Sequence, residues 1–225
     1  MKSVKELNKI ADSAAKDAVG TIRAVTDELS FVEADRFIRS ETALGEATGE
    51  GVICGIASVS DVQVGIFAIN GGVLKGGIGK ANAAKIAKCV GNAVKMGALV
   101  IGIVDSSGAR FAEGIEAMEG YAEIFSAFSS AYGTVPTLLV NKGNNFGMLS
   151  YLSSVCDFTV CYDKSVTATS SPLILVAGTT EDAAKVGTGA AMAQAGIASV
   201  VVKSDAELGK TVRTLISLLT EGVVP

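Results

Sequence analysis

Two apolar runs constrain this chain more than any other feature. Ala98-Leu-Val-Ile-Gly-Ile-Val104 ends in Asp105-Ser-Ser-Gly-Ala-Arg110, and Val135-Pro-Thr-Leu-Leu-Val140 leads to Asn144-Asn-Phe-Gly-Met-Leu-Ser150. Neither run alternates apolar with polar residues, so each reads as a strand buried on both faces. Each delivers a loop of small residues to the start of a helix, where backbone N–H groups lack intrahelical partners. Two such turns side by side form a pocket that holds an oxyanion on main-chain donors. That chemistry suits a chain with no histidine.

Composition narrows the function classes. Hydrophobic residues make up 49% of the 225 and charged residues 19%, which predicts a folded body with a substantial core. A net charge of −4 argues against a nucleic-acid surface. The opening Met1-Lys-Ser-Val-Lys-Glu-Leu-Asn-Lys9 is charged and amphipathic, unlike a signal peptide, and no apolar run reaches the roughly 20 residues of a membrane span. The expected location is the cytoplasm. A mean hydropathy of +0.45 exceeds what a free monomer needs and predicts a buried subunit interface. Cys54, Cys89, Cys156 and Cys161 form no C-x-x-C pair, which excludes a zinc ribbon; no metal is expected. Their apolar neighbours make them reduced core thiols.

Periodicity predicts the elements. Val4, Leu7, Ile10, Ala11, Ala14, Ala15 and Ala18 form a helical stripe behind a Ser3–Glu6 capping box. Strands over 51–58 and 62–69 form a pair. A helix from Lys80 buries Ala83, Ile86, Ala87, Val90 and Val94 and turns out Lys85, Lys88, Asn92 and Lys95. A helix over 115–132 places Met118, Phe125 and Tyr132 on one face. Strands at 157–162, 166–169 and 197–202, a helix near 181–194 and a capped helix from Ser204 complete the chain. Strands alternating with helices imply an α/β fold with largely parallel pairing, in one domain.

The glycine-rich stretch Gly76-Gly-Ile-Gly-Lys80 fails both phosphate-loop patterns, G-x-x-x-x-G-K-[ST] at Leu74 and Ala81 and G-x-G-x-x-G at Asn82. It stands either as a cofactor contact at a helix start or as simple turn chemistry. Asp105 and Arg110 form a reaction pair or order their loop, and the second role is the commoner one for arginine. Glu113, Glu116, Glu119 and Glu123 read as a polar helix face.

Together these segments resemble the carboxyltransferases of biotin-dependent acyl-CoA carboxylases and decarboxylases. The resemblance rests on Leu29-Ser-Phe-Val-Glu33, Gly49-Glu-Gly-Val-Ile-Cys-Gly55, Lys75-Gly-Gly-Ile-Gly-Lys-Ala-Asn-Ala-Ala-Lys-Ile86, Asp105-Ser-Ser-Gly-Ala-Arg-Phe-Ala-Glu-Gly114, Gly120-Tyr-Ala-Glu-Ile-Phe125, Phe146-Gly-Met-Leu-Ser150 and Asp157-Phe-Thr159, in family order. It implies a crotonase-like spiral of ββα units: one domain over 1–225 corresponding to the acyl-CoA half, with an N-terminal helix at 1–24 and a core at 25–225. It implies an enolate held by the N–H groups of Gly147 and Met148, with Gly108 and Ala109 as a second pair. Gly76, Gly77, Gly79 and Lys80 would approach coenzyme A. Biotin on a separate carrier protein, a CoA thioester substrate, a biotin-side partner subunit and a homo- or hetero-oligomer are implied, with a membrane involved only through a sodium-pumping decarboxylase. The family shows glycine where this chain has Ser107 and Met148, and the methionine narrows the acyl pocket. Two alternatives accompany this reading: a malonate decarboxylase subunit acting on a carrier-protein thioester, and a non-catalytic crotonase-like structural subunit.

Overall fold

The computed structural model describes residues 3–38, 41–42, 45–46 and 48–220. The chain opens with helix α1 (Val4–Val25), whose Ser3–Glu6 capping box forms as expected. Of its stripe, Ala11 and Ala18 are buried and Val4 is exposed; the side chains of Leu7, Ile10 and Ala14 lie outside the described residues. Short strands β1 (Val32–Ala34), β2 (Glu41–Thr42) and β3 (Gly45–Glu46) precede the hairpin of β4 (Val52–Val59) and β5 (Val62–Ile69). Its two-residue turn places Ser60 and Asp61 at φ 51° and 65°, as a right-twisted hairpin requires. Both turn N–H groups donate to the Asp27 carboxylate at 3.0 Å.

From there the chain alternates: α2 (Lys80–Met96), β6 (Leu99–Ser106), α3 (Ile115–Ala131), β7 (Thr137–Phe146), α4 (Leu152–Val155), β8 (Phe158–Tyr162), β9 (Val166–Ala168), α5 (Pro172–Leu175), α6 (Gly189–Gln194), β10 (Val200–Val202) and α7 (Asp205–Thr220). The main sheet runs β1-β4-β5-β6-β7-β8-β10; β5 through β10 pair in parallel, while β1 and β4 are antiparallel. Apolar residues fill both faces. Ile101, Ile103, Leu138 and Val140 pack toward α1 and α7, whereas Val100, Val104, Leu139 and Phe67 pack toward α2 and α3. Because Ala18, Ile22 and Val25 belong to the first of these clusters, α1 is part of the core.

A second, short ladder gives the fold its spiral. Beyond Asn141, β7 leaves β8 and pairs instead with β9 through Asn144–Phe146. Ile78 bridges Ala109, Ser106 pairs with Asn145, and Val166 bridges Thr188. The segments that lead on from β5, β6, β7 and β8 thus pass through this inner ladder before the next helix begins.

Four expectations needed correction. The helix near 181–194 begins only at Gly189, capped by Thr188; residues 183–185 form a 3₁₀ turn capped by Asp182. The strand expected at 197–202 is confined to Val200–Val202. On α3 the buried face carries Ala117, Tyr121, Ile124, Phe128 and Ala131, while Met118 and Tyr132 face outward. Apolar residues surround that helix, so spacing alone admitted either face. Lys85, expected on a solvated face, is 1% exposed. Its ammonium donates to the carbonyls of Val52 and Gly49, which close off that end of the hairpin.

Candidate active site

The two small-residue loops meet. A Cβ built on Gly147 would lie 3.8 Å from Gly108 Cα, and one on Gly108 would lie 3.5 Å from Phe146 O. Both glycines have positive φ, 104° at Gly108 and 73° at Gly147, which side-chain-bearing residues adopt only with strain.

Within each loop one peptide is oriented by its own carbonyl. Gly108 O accepts from Ile78 N–H at 2.8 Å, and Gly147 O accepts from the Ser150 hydroxyl at 2.7 Å. In a trans peptide the N–H points opposite to the C=O. Ala109 N–H and Met148 N–H are therefore each aimed away from the anchored side. Gly108's own N–H is spent on Ser106 Oγ at 3.2 Å, and Arg110 N–H on Ile78 O at 2.8 Å. Of the expected Gly108–Ala109 pair, Ala109 is thus the better-placed donor. Ile78 and Ser150 were not singled out from sequence, because their roles depend on which carbonyl they reach.

Beneath the loops lies a polar support. Asn145 Nδ2 donates to Asn141 Oδ1 at 2.8 Å, and Asn141 Nδ2 to Ser153 Oγ at 3.0 Å, which holds the β7 extension to α4. The first loop is clamped by Arg110, whose Nη1 lies 2.5 Å from Glu50 Oε2 and 3.2 Å from Glu113 Oε1; Nη2 donates to Glu50 O at 3.1 Å. Arg110 thus orders its loop. Asp105, its supposed reaction partner, instead accepts Asn144 N–H at 3.0 Å and fills the space beside Gly71 and Gly143.

The glycine-rich stretch packs against the neighbouring loop. Gly76, Gly77 and Gly79 are buried, and their bare sides are taken by Asp105 O, Arg110 Cγ and the Glu113 carboxylate, at 2.0–3.0 Å from a built Cβ. The start of α2 carries its own anion, since Lys80 N–H donates to Glu113 Oε2 at 2.8 Å and Gly79 N–H to Asn82 Oδ1 at 2.8 Å. The glycines serve close packing against the neighbouring loop. Lys80 alone keeps an exposed polar tip, 3.5 Å from both Glu116 and Glu119.

Large apolar side chains follow both loops into solvent: Phe111 is 92% exposed and Ile115 73%, with Met148 and Tyr151 also exposed beyond the second loop. Such a concentration marks a contact surface. No helix among the described residues is long and apolar enough to cross a membrane.

The carboxyl transferase domain family matches residues 14–223. The chain belongs to this family. It is 32% identical over 202 residues to the methylmalonyl-CoA decarboxylase subunit alpha of Veillonella parvula, covering 86% of this chain and 40% of that protein. To the human mitochondrial propionyl-CoA carboxylase beta chain it is 34% identical over 169 residues, covering 72% of this chain and 31% of that one. The chain therefore spans less than half the length of these curated relatives. Among solved structures, transcarboxylase 12S superposes with a TM-score of 0.86 at 22% identity, over 95% of this chain and 45% of that one. A chain of the Pseudomonas malonate decarboxylase hetero-tetramer superposes with 0.79 at 20% identity, over 92% and 82%. These likenesses establish the crotonase-like α/β fold expected from the sequence.

Proposed function

We propose that this chain is the acyl-CoA side of a biotin-dependent carboxyltransferase, with Ala109 and Met148 N–H holding the thioester oxygen as its α-carbon gains or loses a carboxyl group. The observation that carries this reading is the pair of anchored peptides, Gly108–Ala109 and Gly147–Met148, in contact with each other. Such donors fit a thioester enolate: they are neutral and fixed before reaction, which is what stabilising a developing negative charge requires. Biotin on a carrier protein would supply the carboxyl-carrying chemistry and the base for the α-proton. That division of labour leaves this chain to bind the thioester, hold its oxygen and exclude water. Gly147 and Gly108 act by letting their loops touch. Lys80 is the residue of its loop assigned to the CoA phosphates, because its two exposed ion pairs are each worth only ~0–1 kcal/mol and exchange readily for another anion.

The exposed apolar side chains beyond both loops support completion of the site by a second, biotin-side polypeptide surface within an oligomer. The malonate decarboxylase alternative has only a fold-level likeness behind it, and the non-catalytic alternative does not account for two adjacent loops whose donor peptides are both anchored.

The test is carboxyl exchange between a carboxylated biotin carrier and propionyl-CoA, catalysed by the chain with its biotin-side partner. Propionyl-CoA is chosen because the curated relatives are named for it and for methylmalonyl-CoA. Exchange should require both polypeptides. Full turnover by this chain alone, or no exchange together with no binding of any CoA thioester, would overturn the reading.

A further inference from the structure

Away from the two loops, the second half of α2 and the β1–β4 pair enclose a groove of about 480 Å³ whose lining includes Val32, Ile56, Met96, Lys88, Cys54 and Cys89. The two cysteines come from different elements, Cys54 from β4 and Cys89 from α2, and both are free thiols. Their contacts interlock. Cys54 Sγ lies 4.0 Å from Lys85 O, one turn before Cys89, while Cys89 Sγ lies 3.7 Å from Gly55 O, beside Cys54. Both sulfurs line the same groove and belong to the same packed cluster between β4 and α2.

Their surroundings make them unequal. The neighbouring Cys89 thiol and the buried charge of Lys85 lower the Cys54 thiol, against burial and the carboxylates of Asp35 and Glu33. The Cys54 thiol beside it and burial raise Cys89. Neither remaining cysteine shares this setting: burial pushes Cys156 up to about 12 and raises Cys161 as well. A more acidic thiol beside a second thiol, on the wall of one groove, is the arrangement of an attacking and a resolving cysteine.

We propose that Cys54 and Cys89 are a reversible modification site, a dithiol that hydrogen peroxide converts to an intramolecular disulfide from within this groove. Cys54 sulfur, as thiolate, attacks one peroxide oxygen; an S–O bond forms, the O–O bond breaks, and hydroxide leaves to become water with the proton Cys54 released. Cys89 sulfur then attacks the Cys54 sulfenic acid. The S–S bond forms, the S–O bond breaks, and the departing hydroxide takes the Cys89 proton as a second water. Two thiols lose two electrons and two protons, and one peroxide becomes two waters. A dithiol reductant reverses the change by exchange. The site rests on nothing in the carboxyltransferase reading.

The experiment treats the folded chain with hydrogen peroxide, denatures it, alkylates the remaining thiols and maps the tryptic peptides by mass. Cys54 falls in peptide 40–75, Cys89 in 89–95, and Cys156 and Cys161 share 143–164. The expected product is peptide 40–75 joined to 89–95 within one chain, two hydrogens lighter than their sum. Peptide 143–164 should stay fully alkylated, and dithiothreitol should restore all four thiols. Alkylation of all four after peroxide, a link involving 143–164, a link only between chains, or oxidation of Cys54 beyond sulfenic acid without a link would each overturn the proposal.

Discussion

Arg110 and Glu50 form a fully buried ion pair, Nη1 2.5 Å from Oε2, that ties the 105–110 loop to the turn ahead of β4. Glu50 sits at φ 58° between Gly49 and Gly51, both also at positive φ, so an unusual backbone is held in place by this pair. The partners are 60 positions apart, a span that includes the whole hairpin and α2. One contact therefore couples the candidate oxyanion loop to the start of β4, at the same end of the sheet.

Glu50→Ala should leave the Arg110 guanidinium buried with only Glu113 as a carboxylate partner. Removing one member of a buried pair costs about 3–5 kcal/mol. We expect a loss of that size in urea unfolding. A change below about 1 kcal/mol would show that water or Glu113 replaces Glu50 fully.

Gly147→Val should slow the partnered enzyme by about 10²–10³, the effect of losing one oxyanion donor. Valine at φ 73° would strain the turn and tilt Met148 N–H. Cys156→Ala, removing a half-buried neutral thiol, should change the rate little. Rates are compared only between variants whose melting shows them folded. Near-normal activity of Gly147→Val beside inactive Cys156→Ala would reverse the assignment.

Ser150→Ala tests the anchoring of Gly147 O. Losing one hydrogen bond worth about 0.5–1.5 kcal/mol should lower kcat several-fold while leaving KM for the CoA thioester unchanged, and Ser150→Thr should recover most of the loss. A fall in melting temperature with kcat intact would make Ser150 structural only.

Lys85 gives a pH signature. Burial holds its ammonium below the ordinary 10.5, against the raising influence of Cys54, Glu33, Asp35 and Glu50. Between the lowered pKa and 10.5 the folded protein binds fewer protons at this site than the unfolded chain, so stability rises with pH across that window. Lys85→Met removes this term. Unfolding free energies of the two proteins should shift in the wild type's favour as pH climbs toward 10.5. A pH-independent difference would mean Lys85 titrates normally in the fold.

The exposed pair Phe111 and Ile115 tests the contact surface. Phe111→Asp with Ile115→Asp should weaken association with the biotin-side polypeptide at least tenfold in sedimentation while leaving the melting of the isolated chain unchanged, since neither side chain is buried within it. Undiminished association would place the interface elsewhere.

What the sequence by itself determined were the features written in local pattern. The doubly buried runs at 99–104 and 137–140, the hairpin, the capped helices and the family blocks are all legible from hydrophobic period and turn chemistry. The residues flanking the two loops could be named for the same reason. Tertiary structure decided everything that depends on which surface a side chain meets. Lys85 has the spacing of a solvated lysine and is buried because the hairpin's Val52 and Gly49 carbonyls fold over it. Gly76, Gly77 and Gly79 look like a cradle for an anion, yet their space and the start of α2 are filled by Asp105, Arg110 and Glu113 from the adjacent loop. Cys54 and Cys89 lie thirty-five positions apart and become neighbours only when α2 packs on β4. Periodicity reports how a residue sits on its own helix or strand; it carries no record of the partner across the gap, and that partner sets charge, reactivity and role.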